Sequence, residues 1–347
     1  MPRAAPDRVP ARRRTSRPAA GSGRPARRAR PAGLLLGVLA DALLADPARA
    51  HPVAAFGSLA AALERRDYTD HRLAGAVHTA VLVGAAVGIG AAGQAVAARR
   101  PLAVPRGVAQ TALTAAATWT VLGGASLRRH GRALGAELAA GDVAAARARL
   151  PALCGRDPAL LGPVELAAGG VESLAENTSD AVVGPLVWGA LAGVPGLLGY
   201  RAVNTLDAMI GHRDARYARF GWAAARLDDA ANLLPARLAA AVTCLCAPLV
   251  GGSPVDAFWV TRRDSPGHAS PNAGLCEASF AGALGLRLGG DKRYAHGWVA
   301  RPRMGFGPPP TPADLDRAAT LSAAVTAVTA ALAVGIAAAV EGRGRRR

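Results

Sequence analysis

Aromatic residues, lysine and cysteine are all scarce in this sequence. Phe, Trp and Tyr make up 4% of the 347 residues, and Lys292 is the only lysine among 41 basic residues. Because arginine replaces lysine throughout, a single arginine is weak evidence for a phosphate site. The cysteines fit neither a zinc-site spacing nor a disulfide framework, so we predict that they are small buried hydrophobic residues. They are Cys154, Cys244, Cys246 and Cys276.

The short motifs of common catalytic folds are also absent. The sequence has no GxSxG, no HExxH and no dinucleotide-binding fingerprint. Residues 289–292 (GGDK) do not form a Walker A motif, because the lysine follows aspartate rather than glycine. An ATP-using enzyme with this sequence would therefore not have one of the common nucleotide-binding folds.

Positive charge is concentrated at the two ends of the chain. Residues 1–31 carry ten arginines against Asp7, and residues 341–347 carry four against Glu341, so the tails hold +12 of the net charge of +17. The body is nearly balanced, which argues against a nucleic-acid partner despite the pI of about 11.3. We predict a disordered basic tail at 1–31, a single helical membrane domain at 32–340, and a second basic tail at 341–347.

Long uncharged segments dominate that body. Five of them are long enough to cross a bilayer, which takes about 20 residues. They are residues 73–98, 107–127, 181–200, 238–255 and 318–340. No strand-like alternation is present, and residues 128–163 have the pattern of a helical pair outside the membrane. The sequence predicts an all-α, polytopic integral membrane protein with about five to six transmembrane or re-entrant helices joined by helical polar connections. Its orientation stays open, because basic residues flank both ends of 107–127.

An earlier apolar segment, residues 32–45, is short and contains Asp41. Together with the basic run before it and Ala-Arg-Ala at 48–50, it could be a secretory signal peptide cleaved before His51. The alternative is a retained short or re-entrant helix. Asp41 and Asp46 favour this alternative, because the apolar core of a signal peptide rarely holds a carboxylate.

The first of three polar clusters runs directly into the 181–200 segment, which Pro185 and Pro195 interrupt. On a regular helix four carboxylates fall within an arc of about 80°. They are Glu165, Glu172, Glu176 and Asp180. Such a face can hold Mg²⁺ with phosphates or can simply be solvated, and its position beside an uncharged segment favours a functional site.

The second and third clusters lie at 200–238 and 261–290. In the second, one stripe carries Tyr200, Asn204, Asp207 and Gly211, and another carries Trp222, Arg226 and Asp229. Arg226 and Asp229 could equally form a surface ion pair. The third begins as a loop and contains Arg263, Asp264, His268, Ser270, Asn272 and Glu277. It could bind an anionic ligand, or it could be a capped turn in which Asn272 leads into a helix near Leu275.

These clusters carry a family resemblance. Residues 171–193 (VESLAENTSDAVVGPLVWGALAG), 200–238 and 270–290 (SPNAGLCEASFAGALGLRLGG), with 41–53 (DALLADPARAHPV), closely resemble the adenosylcobinamide-phosphate synthase family of cobalamin biosynthesis. The similarity extends from about residue 34 to residue 305. The sequence departs from the family pattern at Leu275 and Cys276 and is only loosely similar after residue 290.

The resemblance implies a polytopic inner-membrane enzyme. Such an enzyme joins the carboxylate of adenosylcobyric acid to the amine of aminopropanol or aminopropanol phosphate, with ATP and Mg²⁺ as cofactors. A carboxylate is a poor electrophile, so amide formation needs activation, most simply as an acyl phosphate. The expected partners are these small molecules and the lipid bilayer, and an oligomer is compatible with the sequence.

The same resemblance suggests site residues. It implies catalytic roles for Glu172, Glu176, Asp207 and Asp229. It also implies a metal site formed by Glu172, Glu176 and Asp180. Binding of the substrates and nucleotide falls to Asp46, His51, Asn177, Ser179, Arg201, Asn204, Arg226, Arg263, His268, Ser270 and Asn272. We predict that the three clusters meet around one cavity at the membrane surface, where Glu176, Asp207 and Asn272 come together. The alternatives are a membrane transporter, whose pathways also contain polar groups in broken helices, and a non-catalytic membrane sensor.

Overall fold

The protein is a helical bundle with almost no sheet. The computed structural model describes residues 28–46, 51–99, 105–212, 214–290, 292–294, 297–299 and 301–343. The predicted basic tails and the Ala-Arg-Ala segment at 48–50 therefore lie almost wholly outside the described residues. The α-helices are α1 (Ala29–Leu44), α2 (Pro52–Asp67), α3 (Arg72–Ala98), α4 (Arg106–Val121), α5 (Gly124–Ala139), α6 (Val143–Arg149), α7 (Pro163–Thr178), α8 (Gly184–Ile210), α9 (Tyr217–Phe220), α10 (Trp222–Ala231), α11 (Leu233–Cys246), α12 (Pro254–Asp264), α13 (Ala273–Leu284) and α14 (Pro312–Arg343).

Shorter elements complete the described chain. A π-helical turn, Ser179–Val183, joins α7 to α8, and 3₁₀ turns cover Leu150–Ala152, Ala247–Val250 and Ser265–Gly267. Two antiparallel strand pairs follow α13: β1 (Leu288–Gly289) pairs with β4 (Arg303–Met304), and β2 (Lys292–Tyr294) pairs with β3 (Gly297–Val299). The prediction of an all-α protein is thus confirmed, with four very short strands as the exception in the described part of the chain.

Four continuous helical stretches in the described residues are long and apolar enough to cross a membrane. They are Arg72–Ala98, Pro163–Ile210, Leu233–Val250 and Pro312–Arg343. Each of these stretches contains all or most of one segment predicted from the sequence. The prediction of a polytopic membrane protein is therefore confirmed. A shorter apolar helix, Ala273–Leu284, accompanies these four in the described residues, which is compatible with the predicted five to six transmembrane or re-entrant helices.

The predicted span at 107–127 is wrong. Helix α4 ends at Val121 and α5 begins at Gly124, which leaves two helices of 16 residues. Gly123 lies between the two helices. Its amide donates a hydrogen bond to the carbonyl of Ala181, at 3.3 Å, instead of continuing the hydrogen bonds of α4. The predicted extramembrane pair at 128–163 is present as the remainder of α5 and the short α6.

Two prolines interrupt the long helical stretch, and each leaves a carbonyl without its helical donor. Pro185 frees the carbonyl of Ala181, which accepts from Gly123. Pro195 frees the carbonyl of Leu191, which accepts from the Arg30 guanidinium at 3.3 Å. The backbone also leaves helical geometry at Gly193, where φ is 69°. The proline breaks predicted from the sequence are therefore the points where other helices attach.

Helix α1, which covers the segment predicted as a retained short or re-entrant helix, packs against α4. Gly33 and Gly37 let it approach α4 so closely that a Cβ at Gly37 would lie 2.3 Å from Cβ of Thr118. Small residues four apart favour this kind of close helix contact in membranes. The Asp41 carboxylate is 1% exposed and accepts from the amide of Ala125 at 3.0 Å, where the positive end of α5 stabilises it.

Candidate functional site

A cavity of about 190 Å³ lies where α7, α8, α10 and the start of α13 meet. Its lining comes from the end of α7 and the π turn, the end of α8, helix α10, and residues 269–276. The lining residues are Glu176, Ser179, Asp180, Asp207, Gly211, Ala225, Asp228, Asp229, Asn232, Ala269, Ser270, Asn272, Ala273 and Cys276. Glu176, Asp207 and Asn272 are all among them, so the prediction that the three polar clusters meet is confirmed.

The π turn sets the direction of the carboxylates at this cavity. It inserts an extra residue between α7 and α8, so Asp180 no longer follows the regular helical face assumed from the sequence. Glu176 is exposed, whereas Asp180 is only partly accessible and accepts from the Asn204 amide at 3.4 Å. Two of the four carboxylates predicted to share one face therefore line the cavity.

Helix α10 supplies the opposite wall. Asp228 accepts from the Asn232 amide at 3.0 Å, and Asn232 in turn accepts from the Tyr200 hydroxyl at 2.8 Å. The second carboxylate oxygen of Asp228 is buried and has no hydrogen-bond partner among the described residues. Burial raises the pKa of Asp228 to about 7, and the neighbouring carboxylate of Asp207 adds to the rise. Asp228 can thus exchange a proton near neutral pH.

Glu172 has a different environment from the one predicted. Its side chain is 2% exposed and forms an ion pair with Arg156, whose side chain is 12% exposed. Its other oxygen accepts from the Gly289 amide at 2.8 Å. These contacts attach α7 to the loop before it and to β1, and Glu172 does not line the cavity. The solvated-face interpretation is wrong for Glu172, and the structure separates it from Glu176.

The predicted metal triad is likewise not assembled. Glu165 accepts from the Gly162 amide at 2.6 Å and so stabilises the start of α7. Because Glu172 is paired with Arg156, only two carboxylates of the predicted acidic face line the cavity. They are Glu176 and Asp180. In the described ranges no group of three or more His, Cys, Asp or Glu side chains is placed to hold a metal ion. Glu176 and Asp180 are nevertheless sufficient for a Mg²⁺ ion that is also bound to phosphates, because such an ion needs only one or two carboxylate ligands.

The loop before α13 is held by side-chain to backbone bonds. The Ser270 hydroxyl accepts from the amides of Asn272 and Ala273, at 3.3 and 3.2 Å. Ser270 therefore caps α13, whereas Asn272 uses its side chain to donate to the Asp229 carbonyl at 2.8 Å. The capped-turn alternative is confirmed in its position, because Asn272 is the N-cap residue of α13, but the side chain that accepts from the first amides is that of Ser270. Because Asn272 ties α13 to α10, it fixes the width of the cavity.

His268 supports this loop from outside the cavity. Its ring contacts the backbone of Ser270 and the guanidinium of Arg301, the latter at 2.6 Å. Its side chain is 2% exposed, with Glu277 at 3.8 Å. We expected His268 among the binding residues, but in this structure it positions the neighbouring residues that line the cavity.

A second polar region lies beside the cavity. Arg201 donates to Asn204 at 3.3 Å, and Asn204 reaches Asp180, so these two predicted residues connect to the cavity without lining it. Asp46 and His51 lie next to each other, with His51 Nε2 3.6 Å from the Asp46 carboxylate, and His51 also caps α2. Asp46 and Arg201 are close enough to interact electrostatically.

Three further predicted residues have other roles. Arg226 is exposed and lies 3.6 Å from the Asp229 carboxylate, so the surface-pair alternative is confirmed for it, at the rim of the cavity. Arg263 pairs with Asp264 and stacks over Phe306, 3.4 Å from the ring centroid, and does not line the cavity. Asn177 donates to Ser173 within its own helix.

Sequence reasoning missed Asp228, Asn232 and Cys276 in the lining. For α10 the chosen stripe was Trp222, Arg226 and Asp229, and its first two members are exposed. A signal was present: Ala225, Asp228 and Asn232 recur at the spacing of one helical face, which is the face toward the cavity.

Comparison with known proteins agrees with the resemblance seen in the sequence. A family model described as CobD/Cbib protein matches residues 34–322. The cobalamin biosynthesis protein CobD of Mycobacterium tuberculosis (strain ATCC 25618 / H37Rv) is 54% identical over 306 residues, which cover 88% of this chain and 95% of that protein. The protein of the same name from Geobacter metallireducens is 43% identical, with coverage of 78% and 85%. That from Rhodobacter capsulatus is 41% identical, with coverage of 78% and 84%.

No solved structure matches this chain significantly. The family model covers most of the described helices, from α1 to the first third of α14, and includes every residue that lines the cavity. The chain belongs to the CobD/CbiB family of cobalamin biosynthesis proteins.

Proposed function

We propose that this protein is an ATP-dependent amide synthase of the inner membrane. It would join the carboxylate of adenosylcobyric acid to the amine of 1-aminopropan-2-ol or its O-phosphate. The observation that carries the proposal is the acidic cavity, in which five carboxylates from three helices face one space in a member of a cobalamin biosynthesis family. Clusters of partly buried carboxylates at the end of a membrane helix are typical of functional sites.

The cavity is too small for the whole reaction. Pockets that enclose a drug-sized ligand measure about 300–1,000 Å³, against about 190 Å³ here. The corrinoid and most of the nucleotide would therefore bind outside it, and the cavity would receive one small group. Its carboxylates favour a cationic group.

Glu176 and Asp180 are the residues that would hold Mg²⁺ together with the phosphates of ATP. A bound Mg²⁺ would supply neutralisation of the charge on the transferring phosphoryl group. Arg226, exposed at the rim, can contact a phosphate there, and Asn272 can bind a polar substrate edge. Arg263 is not part of the proposed site, because Asp264 and Phe306 occupy its guanidinium.

The test is incubation of purified, detergent-solubilised protein with ATP, Mg²⁺, adenosylcobyric acid and either amine. We expect an amide of the corresponding mass, with one ADP formed per amide. An Asp207→Asn variant with an unchanged unfolding temperature should form little product. If a folded sample forms no amide with either amine, the proposed reaction is wrong.

The same preparation, reconstituted into vesicles, tests the transporter alternative. Uptake of corrinoid or amine without amide formation would favour transport, whereas amide formation without net uptake favours the enzyme.

A further inference from the structure

The cavity has a charge and a set of hydrogen-bond acceptors that select one kind of ligand. Five carboxylates line it, and no lysine or arginine is among the lining residues that the structure describes. A phosphate or carboxylate group placed there without a bridging cation would be repelled, because like charges at short range in a partly desolvated space oppose each other strongly. The occupant is therefore a small cation or a cationic group.

Buried polar atoms with incomplete hydrogen bonding indicate where the cation or cationic group would bind. One oxygen of Asp228 is buried and makes no hydrogen bond of ordinary geometry in the described chain, and the Asn204 amide acts on that carboxylate as a weak hydrogen-bond donor. The Ser179 hydroxyl, 1% exposed, has no hydrogen-bond partner other than the weakly accepting Cys276 thiol beside it. Buried polar groups are normally satisfied, so these atoms indicate that a ligand with N–H or O–H donors completes the site.

Two cations are candidates, a metal ion and an ammonium group. A metal ion bound by the protein alone needs several ligands at fixed distances, and no such group exists in the described chain. An ammonium group carries three N–H donors and tolerates varied geometry. Asp207 interacts electrostatically with both Asp228 and Asp229, so these three carboxylates surround one region of the cavity.

We propose that the cavity is the subsite for the ammonium group of the small amine substrate, and that Asp228 is the base that removes a proton from it. The identity of the amine rests on the proposed function. Arg226 at the rim, and Arg237, which donates to Asn272 at 3.3 Å, are placed to contact the other end of the molecule. A hydroxyl or phosphate at that end remains outside the acidic space.

The chemical step balances with the co-reactants of the proposed function. Asp228 takes one proton from the ammonium group, and the free amine nitrogen then attacks the acyl carbon of the acyl phosphate made with ATP. The C–N bond forms and the bond from the acyl carbon to the phosphate oxygen breaks, so inorganic phosphate leaves with that electron pair. The second nitrogen proton goes to the phosphate, and Asp228 returns its own proton to solvent. A base is most effective when its pKa lies near the working pH. The pKa of Asp228, about 7, meets this condition.

Binding of the amine alone tests the proposal without ATP or corrinoid. Full-length protein is titrated with 1-aminopropan-2-ol by calorimetry at pH 8. We expect saturable binding that is at least tenfold weaker in Asp228→Asn and unchanged in Asp256→Asn, an exposed carboxylate at the start of α12. Propane-1,2-diol, in which a hydroxyl replaces the ammonium group, should bind at least tenfold more weakly than the amine.

Several results would overturn the proposal. Equal binding of the diol, or amine binding that does not depend on Asp228, would exclude an ammonium subsite. Mg²⁺ binding that depends on Asp228 without any amine binding would make the cavity a metal site. For the base, the amide-forming rate should rise with pH through about 7 in the wild type and should be partly restored by Asp228→Glu relative to Asp228→Asn. If Asp228→Asn forms amide at the wild-type rate, Asp228 is not the base.

The inference and the proposed function can fail separately. Amine binding without amide formation would leave the subsite in place and contradict the reaction. Amide formation with binding that does not depend on Asp228 would leave the reaction in place and contradict the subsite.

Discussion

Replacement of Glu172 by glutamine separates a structural carboxylate from a catalytic one. Glu172 and Arg156 are 2% and 12% exposed, so the glutamine variant removes the negative charge that Glu172 places against a largely buried guanidinium. Breaking a buried ion pair in this way costs about 3–5 kcal/mol. Glutamine keeps an acceptor for the Gly289 amide, a bond worth about 1 kcal/mol, so we expect the lower end of that range.

Thermal unfolding in detergent, followed by tryptophan fluorescence, measures this effect. A loss of about 3 kcal/mol should lower the unfolding temperature by about 4 °C, because the unfolding entropy of a 347-residue chain is about 0.7 kcal/mol/K. Glu165→Gln, on the same helix but exposed, is the matched control and should change it little. A second substitution, Arg156→Met, should restore most of the stability of Glu172→Gln, because an apolar pair of similar volume replaces a buried ion pair without large loss.

The outcome distinguishes two roles for Glu172. If Glu172→Gln unfolds at the wild-type temperature but forms no amide, the carboxylate acts in catalysis, as its position in the family motif first indicated. A lower unfolding temperature with normal turnover of the folded fraction supports the structural role derived from its contacts.

Three other predictions concern the cavity and its surroundings. Because the folded-state pKa of Asp228 is raised from 3.8 to about 7, its contribution to stability is present below pH 4 and is lost, by up to about 4 kcal/mol, as pH rises through 7. Asp228→Asn should therefore unfold at a higher temperature than the wild type at pH 8 and by a clearly smaller margin at pH 5, where about 1.6 kcal/mol of that loss is present; equal pH dependence in both would contradict this. Arg263→Gln should leave the KM for the amine within about twofold, since the contacts described for Arg263 are with Asp264 and Phe306, outside the cavity lining; a tenfold rise would show that Arg263 contributes to the site. Gly184→Ala should destabilise the protein by about 1–3 kcal/mol, because its Cβ would lie 2.2 Å from the ring of Tyr200; an unchanged unfolding temperature would show that the ring can move.

Much of the helical architecture was accessible from the sequence. Uncharged segments long enough to cross a bilayer predicted three of the membrane helices and most of a fourth, because apolar length and the absence of charge are strong local signals. The same signal failed at 107–127. There the helix ends because the Gly123 amide bonds to Ala181, a contact between segments far apart in the chain that periodicity does not record.

The site was only partly accessible for a related reason. Chemical type and clustering predicted seven of the residues that line the cavity, because polar groups next to apolar segments are often functional. They are Glu176, Ser179, Asp180, Asp207, Asp229, Ser270 and Asn272. The predicted roles failed for Glu165 and Glu172, which lie before the π turn, because Glu165 accepts from the Gly162 amide and Glu172 pairs with Arg156. The partner of Glu172 was also hidden, since Arg156 lies in an irregular loop whose position depends on the whole fold.

The central claim is that the acidic cavity is the place of amide synthesis. The most direct measurement is kcat/KM for the amine in Asp207→Asn, with ATP, Mg²⁺ and adenosylcobyric acid saturating and the folded fraction determined in parallel. We expect a loss of at least about tenfold with an unchanged unfolding temperature, since one of the three carboxylates around the proposed ammonium site loses its charge and a hydrogen bond to a charged group is worth about 1.5–3 kcal/mol. A folded variant that forms amide at close to the wild-type rate would contradict it.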